Sequence, residues 1–138
     1  KKYWKQLLPL LSDTNLFDNV SPSKDHWLST GAGISGLAYT LIITKSHIRI
    51  ELGILTSSRE KNKAYFKKLM KSKEAIEQAF GNQLDWEELA DSKMSRVKFE
   101  LQDVNLFNDK HWVRMNQFFV AYLPKFENAF RPFIKNLK

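Results

Sequence analysis

The glycines of Gly31-Ala32-Gly33-Ile34-Ser35-Gly36 have GxGxxG spacing, but the run of residues after Gly36 constrains the fold more than the spacing does. A dinucleotide-binding loop of that form opens directly into a helix whose first N–H groups meet a pyrophosphate. Here Gly36 leads into Leu37-Ala38-Tyr39-Thr40-Leu41-Ile42-Ile43-Thr44, a β-branched and aromatic run that reads as a strand. The acidic partner of a dinucleotide site would fall near Glu51–Arg59, a window that a second strand largely occupies. The chain is therefore not read as a Rossmann unit. Its glycines are expected to shape a bulged connection between strands and to bind no dinucleotide.

The second strand, His47–Leu55, alternates in hydropathy. Ile48, Ile50, Leu52 and Ile54 face one way, and His47, Arg49, Glu51 and Gly53 the other. This is the signature of an antiparallel sheet with one buried and one polar face. Lys45-Ser46 joins it to the preceding strand at hairpin spacing, although Lys-Ser is poor chemistry for a type I′ turn. Upstream, Lys2–Leu11 reads as a helix with Tyr3, Leu7, Leu10 and Leu11 on one side, ending near Asp13-Thr14-Asn15. Trp27–Thr30 reads as a short strand. Ser57-Ser58-Arg59-Glu60 fits a capping box that opens a helix to about Lys71, and a further helix spans Lys73–Phe80 with Gly81 as its left-handed cap. Leu84–Leu89 and Ser95–Leu101 form another strand pair, with Val97, Phe99 and Leu101 inward and Arg96, Lys98 and Glu100 outward.

A long helix from Asn108 or Asp109 closes the chain. Trp112, Met115, Phe119, Tyr122, Phe126, Phe130 and Phe133 recur along it at spacings of three and four; Pro124 should kink it and Pro132 end its regular part. The order of elements predicts an α+β fold: an antiparallel sheet of four or five strands with helices packed mainly on one face. One domain, 1–138, is expected.

With 138 residues the chain can bury a real core without staples, and with no cysteine it has no disulfide, thiolate metal site or cysteine nucleophile. That suits a reducing compartment, and a cytoplasmic location is expected. The basic, then apolar N-terminus resembles a signal peptide only superficially: its apolar part is short, contains Pro9 and has no small-residue cleavage site before Asp13. No run approaches a membrane span, so no membrane partner is expected. The chain starts without methionine on mid-helix sequence and reads as an excised module of a longer protein.

A formal charge of +7 with a pI near 9.6 favours anionic partners. The cations are concentrated in Lys61, Lys63, Lys67, Lys68, Lys71 and Lys73, and again in Lys125, Arg131, Lys135 and Lys138. On a helix Lys63, Lys67 and Lys71 stack at i, i+4 and i+8, a row able to follow a DNA or RNA backbone; the competing reading is the solvated side of an amphipathic helix. Lysine in place of arginine argues against base-edge readout.

Catalytic patterns fare worse. A kinase-type glycine hairpin lacks its HRD and DFG triplets, and Ser35 lacks the strand-to-helix turn of a nucleophile elbow. His26, His47 and His111 have no partners at metal-ligand spacing, so neither a metal nor a cofactor is expected. Asp85 with Glu100-Leu101-Gln102 loosely matches the acid and E-x-Q of a magnesium-dependent nuclease, but Gln102 falls at a strand end and the lysine is absent. Asp25, His26 and Trp27 beside the glycines, with Arg49 and Glu51 behind them, outline a possible pocket. The aromatic stripe of the last helix offers an alternative role in protein interaction or homo-oligomer formation.

Taken together, Ser23-Lys24-Asp25-His26-Trp27-Leu28, the glycine segment, Arg49-Ile50-Glu51-Leu52, Asn62-Lys63, Phe66, Ile76-Glu77, Phe80-Gly81, Leu84-Asp85-Trp86-Glu87 and Arg131-Pro132 resemble a bacterial and archaeal family, domain of unknown function 4268. The family name carries no activity. Its members often lie C-terminal to restriction-endonuclease-like nuclease domains, so the resemblance implies a non-catalytic accessory or regulatory role beside an upstream nuclease-like domain of the same chain, in nucleic-acid processing or defence.

Overall fold

The computed structural model describes residues 1–11 and 14–137. The expected helix end at Asp13 and the terminal Lys138 lie outside them. Among the described residues five strands form one antiparallel sheet: β1 (Trp27–Gly31), β2 (Leu37–Ile43), β3 (His47–Ile54), β4 (Asp85–Glu87) and β5 (Ser95–Gln102), in the spatial order β1-β2-β3-β5-β4. Four α-helices accompany it: α1 (Lys2–Leu7), α2 (Arg59–Met70), α3 (Lys73–Phe80) and α4 (Trp112–Lys135). The α+β fold with its long C-terminal helix is as the sequence predicts.

The alternation in β3 sets the two faces. Ile48, Ile50, Leu52 and Ile54 are fully buried, with Tyr39, Leu41, Val97 and Phe99 beside them on the neighbouring strands. The aromatic stripe of α4 closes over this surface: Phe126 meets Tyr39 edge-on at 6.2 Å, Phe118 stacks on Phe99 at 5.6 Å and Phe130 approaches Trp86 at 6.1 Å. Phe80 of α3 and Phe66 of α2 fill the flank against Phe99 and Trp86. Each such ring contributes area burial plus about 0.5–1.5 kcal/mol from its stacked, tilted or edge-to-face pairing. This burial on both sides of Pro132 explains why α4 runs on to Lys135 where the sequence predicts an end: Phe130 and Ile134 are both in the core, and their packing outweighs the roughly 3 kcal/mol cost of an internal proline.

Three local expectations change. In the N-terminal segment Trp4, not Leu10, joins Tyr3, Leu7 and Leu11 in the core; Leu10 is 47% exposed because the helix tightens into a 3₁₀ turn over Leu8–Leu11 and rotates it outward. The cap of α2 is Ser58, whose Oγ accepts from the Lys61 amide at 3.1 Å, one residue later than the capping box requires; the reciprocal glutamate is lost and Glu60 sits in the first turn near the positive end of the dipole. Strand β4 is shorter than Leu84–Leu89, pairing over three residues.

The β2–β3 turn shows how Lys45-Ser46 is tolerated. The Thr44 hydroxyl accepts from the amides of Ser46 (3.1 Å) and His47 (2.9 Å), so a side chain supplies what the turn dipeptide does not. Gly81 caps α3 in the left-handed region at φ 96°.

The glycine segment is a connection between antiparallel strands. Gly33 and Gly36 have φ of 103° and 89°, and the Gly36 carbonyl accepts from the Leu55 amide at 2.7 Å. A Cβ on Gly36 would lie 2.3 Å from Thr56 Cγ2 and 3.2 Å from the Thr56 backbone, whereas Gly31 and Gly33 have open space. Gly36→Ala therefore meets both strain and collision and is expected to cost more than about 1 kcal/mol; Gly33→Ala meets strain alone at about 1 kcal/mol, and Gly31→Ala falls within about 0.5 kcal/mol. Urea unfolding of the three variants checks this order, and equal midpoints for Gly36→Ala and Gly31→Ala would contradict it.

Candidate functional site

The four α-helices pack on one face of the sheet, and the other carries its charges. Across the strands, Trp27, Ile42, Arg49 and Glu100 form one row; Ser29, Thr40, Glu51, Lys98 and Asp85 the next; Gly31, Ala38, Gly53, Arg96 and Glu87 a third. The expected assembly of Arg49 and Glu51 beside Arg96, Lys98 and Glu100 is thus on one surface. Arg49 Nε lies 2.9 Å from Glu51, Lys98 Nζ 3.1 Å from Glu100 and 3.4 Å from Glu87, and Arg96 Nε 2.6 Å from Glu87. His47 approaches Glu100 at 3.6 Å.

These pairs leave little unspoken-for charge. The Glu100 carboxylate, which the nuclease pattern would offer to magnesium, already faces Lys98, His47 and, at 4.0 Å, Arg49. Among the described residues no three His, Asp or Glu side chains converge as a metal-binding group. Glu51 is 6% exposed although it lies on the charged face, and its carboxylate accepts from Arg49 Nε at 2.9 Å. At Glu87 burial works to raise the carboxyl, but the hydrogen bonds and charges of Arg96 and Lys98 outweigh it and hold the group below its ordinary range. A depressed carboxyl contributes stability above its unfolded pKa and loses it as pH falls through the lower folded value. Glu87→Gln is therefore expected to be less stable than the parent at pH 7 and to lose less on acidification to about pH 3. Parallel slopes for the two proteins in pH-resolved urea unfolding would contradict this.

The residues outlined as a pocket are divided between two sides of the sheet. Trp27, 53% exposed, belongs to the charged face in the row of Arg49. His26 points to the other side, edge-on to the exposed Phe107 at 6.0 Å, and lines a cavity of about 680 Å³ with Lys24, Tyr3 and Trp112. Asp25 uses its backbone, its carbonyl accepting from Trp4 Nε1 at 2.8 Å. The reason is the strand period: residues 26 and 27 cannot share a face once β1 is in register.

The lysine row is also divided. Lys67 and Lys71 are exposed, but Lys63 is turned onto the segment between β4 and β5, its Nζ donating to the carbonyls of Glu88 (2.5 Å), Leu89 (2.9 Å) and Met94 (2.7 Å), with Ser95 Oγ at 3.0 Å. That segment has left the sheet, so its carbonyls lack ladder partners and an ammonium satisfies them. Burial and the nearby Arg59 push the Lys63 amine below its ordinary range, and Glu88 opposes them. Asn62, fully buried, completes the clasp: its Oδ1 accepts from the Thr56 amide at 2.7 Å and its Nδ2 donates to the Lys93 carbonyl at 3.0 Å. Arg59 reaches the Ala90 carbonyl. The spacing of the lysines predicts a surface cation at Lys63; the sequence signal against it is the adjacent Asn62, a polar residue on the helix's apolar side.

Part of each basic cluster of the sequence meets in space, at the end of α4. Lys68 Nζ donates to the Asn136 carbonyl at 2.6 Å, which sets the end of α4, with Arg131 and Lys135, against the C-terminal half of α2. Lys67, Lys71 and Lys135 are exposed, and none is ion-paired among the described residues.

Lys63→Met is expected to destabilise the protein by about 1–3 kcal/mol, since it strands three carbonyls, while Lys67→Gln and Lys71→Gln stay within about 0.5 kcal/mol. Chemical denaturation separates the two classes, and a neutral Lys63→Met would show that water replaces the ammonium.

Among the described residues no helix is long and apolar enough to cross a membrane. No curated protein and no solved structure matches the chain. A family model does match, over residues 1–134, and the glycine turn, the Asn62-Lys63 clasp and the Arg131-Pro132 turn of α4 all lie within it. The chain belongs to the family described as Domain of unknown function (DUF4268).

Proposed function

We propose that the domain is a non-catalytic, nucleic-acid-associated module that holds a DNA or RNA backbone on the surface formed by α2 and the end of α4, as an accessory to an upstream nuclease-like domain. The observation that carries the reading is the contact between Lys68 and the Asn136 carbonyl, which merges two basic clusters some sixty residues apart in sequence into one surface. Such a surface attracts phosphates through release of condensed counterions and needs no base contact. The charged face of the sheet supports the reading by contrast, since its cations are neutralised by Glu51, Glu87 and Glu100.

Against the alternative of a protein-interaction or dimerisation module built on the aromatic stripe of α4 stands the burial of Phe119, Phe126 and Phe130 within the same chain.

Binding should be weak, with little sequence preference, and should fall with salt; each phosphate contact removed lowers the salt slope by roughly 0.7–0.9. Replacing Lys67, Lys71 and Lys135 together by glutamine is expected to weaken binding and flatten that slope with an unchanged thermal midpoint. Fluorescence anisotropy of labelled oligonucleotides over a salt series checks this. Absence of binding at low salt, or an unaltered slope in the triple variant, would refute it.

A further inference from the structure

Between the glycine turn and the C-terminal half of α4 lies a cavity of about 320 Å³. Its walls are apolar: Leu16, Ala32, Ile34 and Ile134, with Gly31 and Gly33 at the rim. Tyr39 forms part of its lining. The residue is 2% exposed and its ring is held by Phe126. A tyrosine in the wall of an otherwise apolar cavity brings one polar atom, its hydroxyl, which can donate to or accept from a ligand atom.

The groups at the mouth are of a different kind. Glu127 accepts from Thr14 Oγ1 at 3.3 Å through one oxygen and pairs with Arg131 Nη2 at 3.0 Å through the other. Arg131 is half exposed, leaving its other N–H groups free to meet a ligand, and Lys135 lines the cavity one turn further on. Burial, reinforced by the charge of Glu127 and opposed by Arg131, keeps the Tyr39 hydroxyl above the ordinary tyrosine range. It therefore stays protonated, able to donate and to accept.

A volume near the lower end of ligand-site sizes suits one small ring system and excludes a dinucleotide. The cations at the mouth also belong to the basic surface, because Lys135 directly precedes the Asn136 whose carbonyl Lys68 holds. From this continuity we infer that the cavity takes a single unstacked nucleotide, its base edge bonded to Tyr39 and Glu127 and its phosphate to Arg131 and Lys135. Extruded or unpaired bases are read in this way, by hydrogen bonds within a pocket beside a cationic track. The inference rests on the proposed backbone contact for its strand-borne form. A free mononucleotide offers the same chemistry without it.

The test uses Tyr39→Phe, which removes only the hydroxyl and should leave the thermal midpoint unchanged, together with Arg131→Gln. Anisotropy is measured with matched single-stranded and duplex DNA and RNA, and amide shifts of Gly31 to Ile34 are followed by NMR during titration with AMP, GMP, CMP and dTMP. A preference of the parent for single strands, reduced about fivefold by Tyr39→Phe with duplex binding intact, supports the strand-borne form. Saturable mononucleotide shifts lost in both variants, with no oligonucleotide binding, support the free form and overturn the backbone proposal. Equal single-strand and duplex binding indifferent to Tyr39→Phe, without mononucleotide shifts, overturns the cavity and spares the backbone contact. Silence in both assays overturns both.

Discussion

The closure of α4 over the sheet is the interaction on which the remaining architecture depends. Tyr39, Phe99 and Trp86 come from three different strands, and one helix reaches all of them through Phe126, Phe118 and Phe130. The loss of any one ring opens a cavity that its neighbours cannot refill, at about 3–5 kcal/mol for truncation to alanine. Because the stripe is continuous, the helix runs on past two prolines to Lys135 and its last turn is delivered to a definite place. Arg131 and Lys135 reach the end of α2 and the glycine turn together for this reason. A structural demand, covering the apolar side of the sheet, thereby positions the polar groups on which the functional reading rests.

The opposite face of the sheet shows what is done when no helix is present. Glu51, Glu87 and Glu100 alternate with Arg49, Arg96 and Lys98 across strands, so each charge lies beside an opposite one. The pairs that cross between strands, Arg96 and Lys98 with Glu87 and Arg49 with Glu100, contribute a few tenths to about 1 kcal/mol each and are more useful in fixing register, since a slip of one residue would place a carboxylate in the aromatic core. The surface is polar, but it offers a partner little net charge.

Much of this was legible in the sequence, and the boundary follows a physical line. Period-two alternation in β3 and the three-and-four spacing of α4 are consequences of burial on one side, so they predict element type, facing and the layer arrangement. The clean failure at Lys63 has another origin. Its role depends on carbonyls of residues 88, 89 and 94, which lose their ladder partners only because β4 ends after three residues. Nothing in the periodicity of α2 reports on a chain segment thirty positions away. The split between His26 and Trp27 is of the other type: it follows from strand period, once Trp27 is known to begin β1. The cavity beside Tyr39 was beyond reach altogether, because it exists between a turn and a helix end separated by about a hundred residues, and only the packing of Phe126 on Tyr39 brings them together.

The clasp made by Asn62, Lys63 and Arg59 also governs local motion. Residues 88–94 form no regular structure, and a segment of that kind ordinarily opens to solvent independently, at little free-energy cost. Here the carbonyls of Glu88, Leu89, Ala90, Lys93 and Met94 are all held by side chains of a single helical turn. The loop cannot lift without stranding those donors, and Asn62 in turn fixes Thr56, the residue packed against Gly36. One buried amide thus ties the irregular segment to the residue that flanks the glycine turn, so that opening of the segment is expected to loosen the turn as well.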